Sequence, residues 1–317
     1  MFDISEKEFC VMIPDIVGMK NMKSILDPLP KDNFRRASHA LPRECLVEEM
    51  SLEMLAHATE GKDIFSLAER IYFGQETCAR KLFSARNVAE AVSLAEGYGK
   101  KLSLVVPYAG ERDMADIRSV LEFFGKECPG GEVVVNDLGI INVIAENKLP
   151  VKTVLGRLLS RIKRDPRFGS FPPMDMTALP DDFSAASREN ISRSGFSARS
   201  FSDFFNKLGI SRAGCDALPQ GVDMSDVEGF TFDVYWPWIY VTSGRSCQIL
   251  GADDSRKGKY PMESDCGREC LKFEMKPPRQ GRFYSVIRGN AVWMEVMYPG
   301  NMAGDFSRFI YEPVIPA

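Results

Sequence analysis

From about residue 63 to residue 155 the chain alternates short β-branched runs with longer amphipathic ones, and this rhythm restricts the fold more than any other feature. Arg70–Phe73 (RIYF), Leu102–Val106 (LSLVV), Glu132–Val135 (EVVV) and Val151–Leu155 (VKTVL) read as buried strands. Between them, Asn87–Tyr98, Met114–Phe124 and Leu138–Glu146 carry apolar residues at helical spacing. Gly125 supplies a stop for the second helix. Units of about 25 to 30 residues in this order predict a parallel sheet with right-handed crossovers. The rhythm returns at Phe201–Leu208 (helix), Ile210–Leu218 (strand) and Phe230–Tyr240 (two strands, or one bent at Pro237). Phe283–Ile287 and Val292–Val296 flank a Gly289-Asn290 turn and read as a hairpin. Six or more such units predict an α/β fold, a TIM-like and somewhat irregular (β/α) barrel over residues 63–317.

Two stretches break the pattern. Residues 1–62 carry Pro14, Pro28, Pro30 and Pro42, with a helix expected over Glu44–His57, and read as an N-terminal extension packed on the barrel or used in assembly. Residues 157–190 (RLLSRIKRDPRF, then FPPMDMTALPDDF) read as an inserted loop outside the barrel wall, because proline and charge are too dense for a core element. At 317 residues the chain is long enough for one large domain, and its net charge of −4 leaves no broad electrostatic footprint for nucleic acid. No apolar run reaches 18 residues and the first ten residues have no secretory pattern, so a cytoplasmic protein without a membrane span is expected.

In a reducing compartment, clustered cysteines bind metal more often than they form disulfides. Three of the eight cysteines, Cys247, Cys266 and Cys270, fall in one glycine-rich polar stretch after the last long apolar segment. Structural zinc sites and cuboidal iron–sulfur clusters usually take four ligands. Cys78 is the expected fourth. It follows the strand at 70–73, and in a closed barrel a first and a last strand are neighbours. A partly buried core thiol is the alternative for Cys78, and zinc is the alternative to a 4Fe–4S cluster. The C-x₃-C spacing and the spread of ligands along the chain favour the cluster. Arg80, Lys81, Arg245 and Arg268 stand beside the ligands and could offset a cluster's negative charge, or be ordinary surface charges. Cys10, Cys45, Cys128 and Cys215 read as packing or surface thiols. With only His39 and His57 present, a His-based triad is not expected. At the strand ends, Asn136, Asp137 and Arg157 are candidate substrate-binding groups, with helix capping or ion pairing as the competing roles.

IYFGQETCARK (71–81), VVNDLGIINVIAENKLPV (134–151), YVTSGRSC (240–247) and DCGREC (265–270) together resemble the collagenase-like, "unassigned peptidase" family of iron–sulfur proteins, and within it the UbiV-like members. The resemblance covers roughly residues 63–290. It implies a 4Fe–4S cluster on Cys78, Cys247, Cys266 and Cys270. It also implies a role in oxygen-independent hydroxylation of a quinone precursor or an RNA base, with prephenate as oxygen donor and a paralogous protein as partner. The substrate expected at the barrel mouth is a small aromatic or carboxylate molecule. The competing expectation is a non-catalytic partner subunit with a structural cluster or zinc. A peptidase activity is less favoured, since no nucleophile–histidine pair is visible. Residues 1–60 and the 157–190 stretch have no counterpart in the resemblance, and the loop from Cys247 to Cys266 is longer than in the family.

Overall fold

In the computed structural model, eight parallel strands close into a barrel in the order β1-β13-β8-β6-β5-β4-β3-β2. The structure describes residues 4, 6–26, 55, 59–160, 162–164, 185–244, 246–250, 266–275, 285–296 and 302–316. The strands in chain order are β1 (Glu8–Ile13), β2 (Arg70–Gly74), β3 (Lys101–Val106), β4 (Glu132–Val135), β5 (Lys152–Leu155), β6 (Arg212–Asp216), β7 (Val222–Asp223), β8 (Thr231–Trp236), β9 (Trp238–Ser243), β10 (Ser285–Arg288), β11 (Ala291–Glu295), β12 (Met302–Ala303) and β13 (Phe306–Tyr311). The helices are α1 (Ile16–Lys20), α2 (Met22–Ile25), α3 (Ile64–Leu67), α4 (Ala85–Gly97), α5 (Met114–Glu127), α6 (Leu138–Glu146), α7 (Ala185–Ser192) and α8 (Arg199–Lys207). The expected (β/α) barrel is therefore present. None of the helices is long and apolar enough to cross a membrane among the described residues.

The barrel begins earlier than the sequence suggested. Residues 8–13, expected within an N-terminal extension, form strand β1, which pairs in parallel with β2 on one side and β13 on the other. Closure thus joins Glu8–Val11 to Arg308–Tyr311 across almost the whole chain. The helix expected over 44–57 lies outside the described residues, apart from Leu55. The 157–190 stretch does not lie wholly outside the barrel wall. Arg157 and Ser160 are fully buried and Ile162 nearly so, because the chain turns inward over the barrel mouth immediately after β5. Residues 165–184 lie outside the described set.

Side-chain alternation along the strands divides the molecule into two apolar layers. Val11, Ile71, Phe73, Leu104, Val106, Val133, Val135, Leu155, Val234 and Phe309 face outward and form the core beneath the helices. Cys10, Met12, Tyr72, Val105, Val134, Val154, Tyr235 and Ile310 point inward and fill the barrel's middle. Below this inner layer, at the N-terminal ends of the strands, sits an ion network. Arg308 donates to Glu8 at 2.7 Å and to both oxygens of Glu132 at 2.8 and 3.0 Å. Arg70 donates to Glu8 at 3.0 Å and to Ser103 at 3.1 Å. Tyr72 donates to Asp233 at 2.9 Å. Arg308 and Arg70 hold the Glu8 carboxyl down at about 2, outweighing burial, which would raise it. The same phase of the strands that buries Glu8, Arg70 and Arg308 here presents Glu76, Asp216 and Glu312 just past the opposite ends. Barrel geometry alone therefore gathers charge at both mouths.

Candidate metal centre

The C-terminal mouth is plugged by one cation. Arg157 follows β5 and has no solvent exposure. Its guanidinium donates to Glu76 at 2.8 and 2.6 Å, to Asp216 at 3.0 Å, to the Trp238 carbonyl at 2.7 Å and to both oxygens of Glu312. It lies between the rings of Tyr235 and Trp293, 4.3 and 4.9 Å from their centroids. Arg164 closes the cage from above, donating to Asp216 at 2.5 Å and to the Arg157 carbonyl at 2.5 Å. Three carboxylates against two guanidinium groups leave excess negative charge in a buried space. Burial accordingly pushes Glu312 up to about 8 and Glu76 upward, with Arg157 pulling both the other way.

The three residues expected to meet a substrate are all engaged within the fold. Arg157 is the cage just described. Asn136 is buried, donates to the Val106 carbonyl at 3.3 Å and accepts the Leu158 N–H at 3.4 Å, which ties three successive strand ends together. A Cβ on Gly156 would come within 2.0 Å of the Asn136 side-chain oxygen, so glycine there is what lets Asn136 lie across the strand. Asp137 caps α6, accepting the Gly139 N–H at 2.7 Å.

A small antiparallel sheet, β10-β11-β9, covers this mouth. Gly289 (φ +65) and Asn290 turn its hairpin. Asn290 donates to the Thr77 carbonyl at 2.5 Å and to the Gly244 carbonyl at 2.9 Å, and Tyr108 donates to the same Gly244 oxygen at 2.9 Å. These bonds pin the end of β9 and the hairpin onto the Gln75–Cys78 loop. Cys78 ends this loop and Cys247 follows the end of β9, while Arg288 of the hairpin donates to the Cys270 carbonyl at 3.4 Å.

The cysteine side chains sit in tight turns. Cys78 opens a 3₁₀ turn through Lys81, whose N–H donates to the Cys78 carbonyl at 3.1 Å. The backbone N–H of Arg80 acts on the Cys78 thiol, and those of Ile249 and Leu250 on the Cys247 thiol. Cys270 lies in a 3₁₀ turn entered through Arg268 at φ +58, and a Cβ on Gly289 would stand 4.0 Å from its sulfur. Burial raises the Cys78 thiol. Lys81 and the Arg80 N–H lower it, and the thiols of Cys270 and Cys247 raise it again. Burial likewise raises Cys247. The N–H groups of Ile249 and Leu250 lower it, and Cys270 and Cys266 raise it. Cys78 and Cys247 thus each feel the Cys270 thiol, and Cys247 feels Cys266 as well. Cys10 and Cys215 are buried in the two apolar layers, and Cys128 ends α5. Cys45 lies outside the described residues.

Four thiols are the number and type of ligand that a cuboidal cluster or a zinc ion takes. Among the described residues no three His, Cys, Asp or Glu side chains meet closely enough to hold a single ion. In a cuboidal cluster each iron takes its own thiolate at ~2.3 Å, so the sulfurs stand apart by the width of the cluster. Backbone N–H groups acting on the sulfurs are what anionic thiolate ligands require. Buried polar atoms without a hydrogen-bond partner also gather here: Glu76 Oε1, Thr77 Oγ1, Lys81 Nζ, Asn290 Oδ1 and Trp293 Nε1 all lie on the two segments that flank the thiols. Sequence reading had marked Lys81 only as one of several nearby charges, and it had missed Glu76, Asp216, Glu312 and Trp293, which build the mouth. A separate cavity of about 470 Å³ is lined by Ile141, Lys148, Lys152 and Arg212. Comparison with protein-family models, with curated proteins and with solved structures finds no match to this chain.

Proposed function

We propose that this chain is an iron–sulfur protein in which Cys78, Cys247, Cys266 and Cys270 hold a 4Fe–4S cluster at the C-terminal mouth of the barrel. We further propose that it serves oxygen-independent hydroxylation, acting on a quinone precursor or an RNA base alongside a paralogous partner. The observation that carries the reading is geometric: Asn290 donates to the carbonyls of Thr77, beside Cys78, and Gly244, three residues before Cys247, at 2.5 and 2.9 Å, and a Cβ on the adjacent Gly289 would stand 4.0 Å from the Cys270 sulfur. When bound, a cluster of this kind supplies one-electron transfer. The chain's own residues do the rest. The Arg157 cage fixes the strand ends on which the ligand loops stand. The β9–β11 sheet keeps water from the mouth. Lys81 places a positive charge beside the ligand loop. Zinc on the same thiols is the second reading, favoured by the number and type of ligands. The hydroxylation role rests on the four motif stretches, IYFGQETCARK, VVNDLGIINVIAENKLPV, YVTSGRSC and DCGREC.

The test is a reductive titration of protein purified without oxygen, followed by visible absorbance and circular dichroism. A redox-active cluster bleaches on reduction and recovers on re-oxidation with the fold unchanged. A colourless protein carrying one zinc per chain would replace the reading by the zinc alternative.

A further inference from the structure

We propose that Lys81 is the counter-charge of the thiol site: its buried ammonium is held in place for the anionic group that the thiolates bind, and it governs how tightly that group is held and at what potential it accepts an electron. The inference rests on the cluster reading above and extends it to a residue that binds no metal itself.

Lys81 is 7% exposed, and its Nζ is buried without a hydrogen-bond acceptor. Lysine usually threads its stem through apolar surface so that the ammonium reaches water. Here the ammonium itself is enclosed. An enclosed charge without a partner is strongly unfavourable unless something anionic lies next to it. The chain shows elsewhere how it handles such a case, since Arg157, equally buried, is met by Glu76, Asp216 and Glu312. No described carboxylate forms an ion pair with Lys81, although Glu76 is only five residues away and is committed to Arg157. Its charge instead lowers the Cys78 thiol, which caps the 3₁₀ turn that Lys81 ends. With neutral thiols Lys81 is a buried cation without a counter-ion among the described residues. With four thiolates around a cluster, the site carries net negative charge and the ammonium is matched. The empty and filled states therefore place opposite demands on this one side chain.

That opposition gives the test. Lys81→Met keeps the length and removes the charge, while Lys81→Arg keeps the charge. In metal-free protein, Lys81→Met should raise the melting temperature, because an unmatched buried charge is gone. On loading without oxygen, the same variant should hold iron roughly 10- to 100-fold more weakly in chelator competition, the range usual for groups that support metal ligands from behind. Its reduction potential should move to more negative values, because the extra electron loses its nearest positive charge. Lys81→Arg should restore loading and potential toward the parent. A Lys81→Met protein that loads and titrates like the parent overturns the inference and leaves the cluster reading intact. So does one that melts lower than the parent without metal, or that is too unstable to purify. A parent protein that takes up no iron and sulfide refutes the cluster reading itself, and the inference falls with it.

Discussion

Replacing Arg157 with leucine should be among the most damaging single changes the barrel can suffer. The side chain has no solvent exposure and holds Glu76, Asp216 and Glu312 together. Removing one member of a buried ion pair costs about 3–5 kcal/mol, because the partner is left buried and uncompensated. Three carboxylates would lose their shared cation here, although Arg164 still reaches Asp216 at 2.5 Å. The stacking of the guanidinium on Tyr235 and Trp293 adds about 0.5–2 kcal/mol for each ring. A total of at least ~5 kcal/mol is comparable with the ~5–15 kcal/mol that a typical domain has in all. With a urea dependence near ~3 kcal/mol per molar, the unfolding midpoint should fall by roughly 1.5–2 M. Urea unfolding followed by circular dichroism measures this. Adding Glu76→Gln and Glu312→Gln to the same chain should recover much of the loss, since the charges that made it costly are then absent. A midpoint shift worth less than about 1 kcal/mol would refute the idea that this cage ties the strand ends together.

Other outcomes follow from the same coordinates. The Glu312 carboxyl is raised to about 8 by burial, so the folded chain binds a proton there that the unfolded chain releases near its ordinary value. This contribution to stability is present in full below about pH 4.5 and is lost as pH rises toward 8, and Glu312→Gln should flatten that part of a pH–stability profile measured by urea unfolding. Gly74→Ala should destabilise by more than the ~1–3 kcal/mol of backbone strain alone, because φ is +144° and the new Cβ would lie 2.0 Å from the Val105 carbonyl oxygen; thermal melting reports it. Cys10→Ala, Cys128→Ser and Cys215→Ala should leave the iron content unchanged even where they lower stability, since none of these thiols lies at the barrel mouth.

The middle of the barrel was legible in the sequence because each of its elements carries its own pattern. EVVV and LSLVV are buried on both faces, and the helix at 138–146 shows its apolar stripe and its Asp137 cap within ten residues. Strand β1 was obscured by the four prolines that follow in residues 14–42, although FCVMI, bounded by Glu8 and Pro14, is a fully buried run. Its role depends on pairing with β13, about 300 residues away, and no local pattern announces a partner at that distance. The mouth was harder still. Arg157 opens a basic run that also contains Arg161, Arg164 and Arg167, which reads as a solvated face. Only the convergence of the ends of β2, β6 and β13 shows that this one arginine is buried among acids. The four cysteines stand out in the sequence through composition and motif. Their N–H donors and the enclosed Lys81 ammonium depend on turn geometry, which spacing does not reveal.

The most direct test of the account counts iron and acid-labile sulfide in protein expressed and purified without oxygen, with Cys78→Ala beside the parent. The account predicts equal amounts of iron and sulfide, about four of each per chain as in a 4Fe–4S centre, and a marked loss of both in the variant. A parent chain without sulfide, or a Cys78→Ala chain with undiminished iron and sulfide, would contradict it.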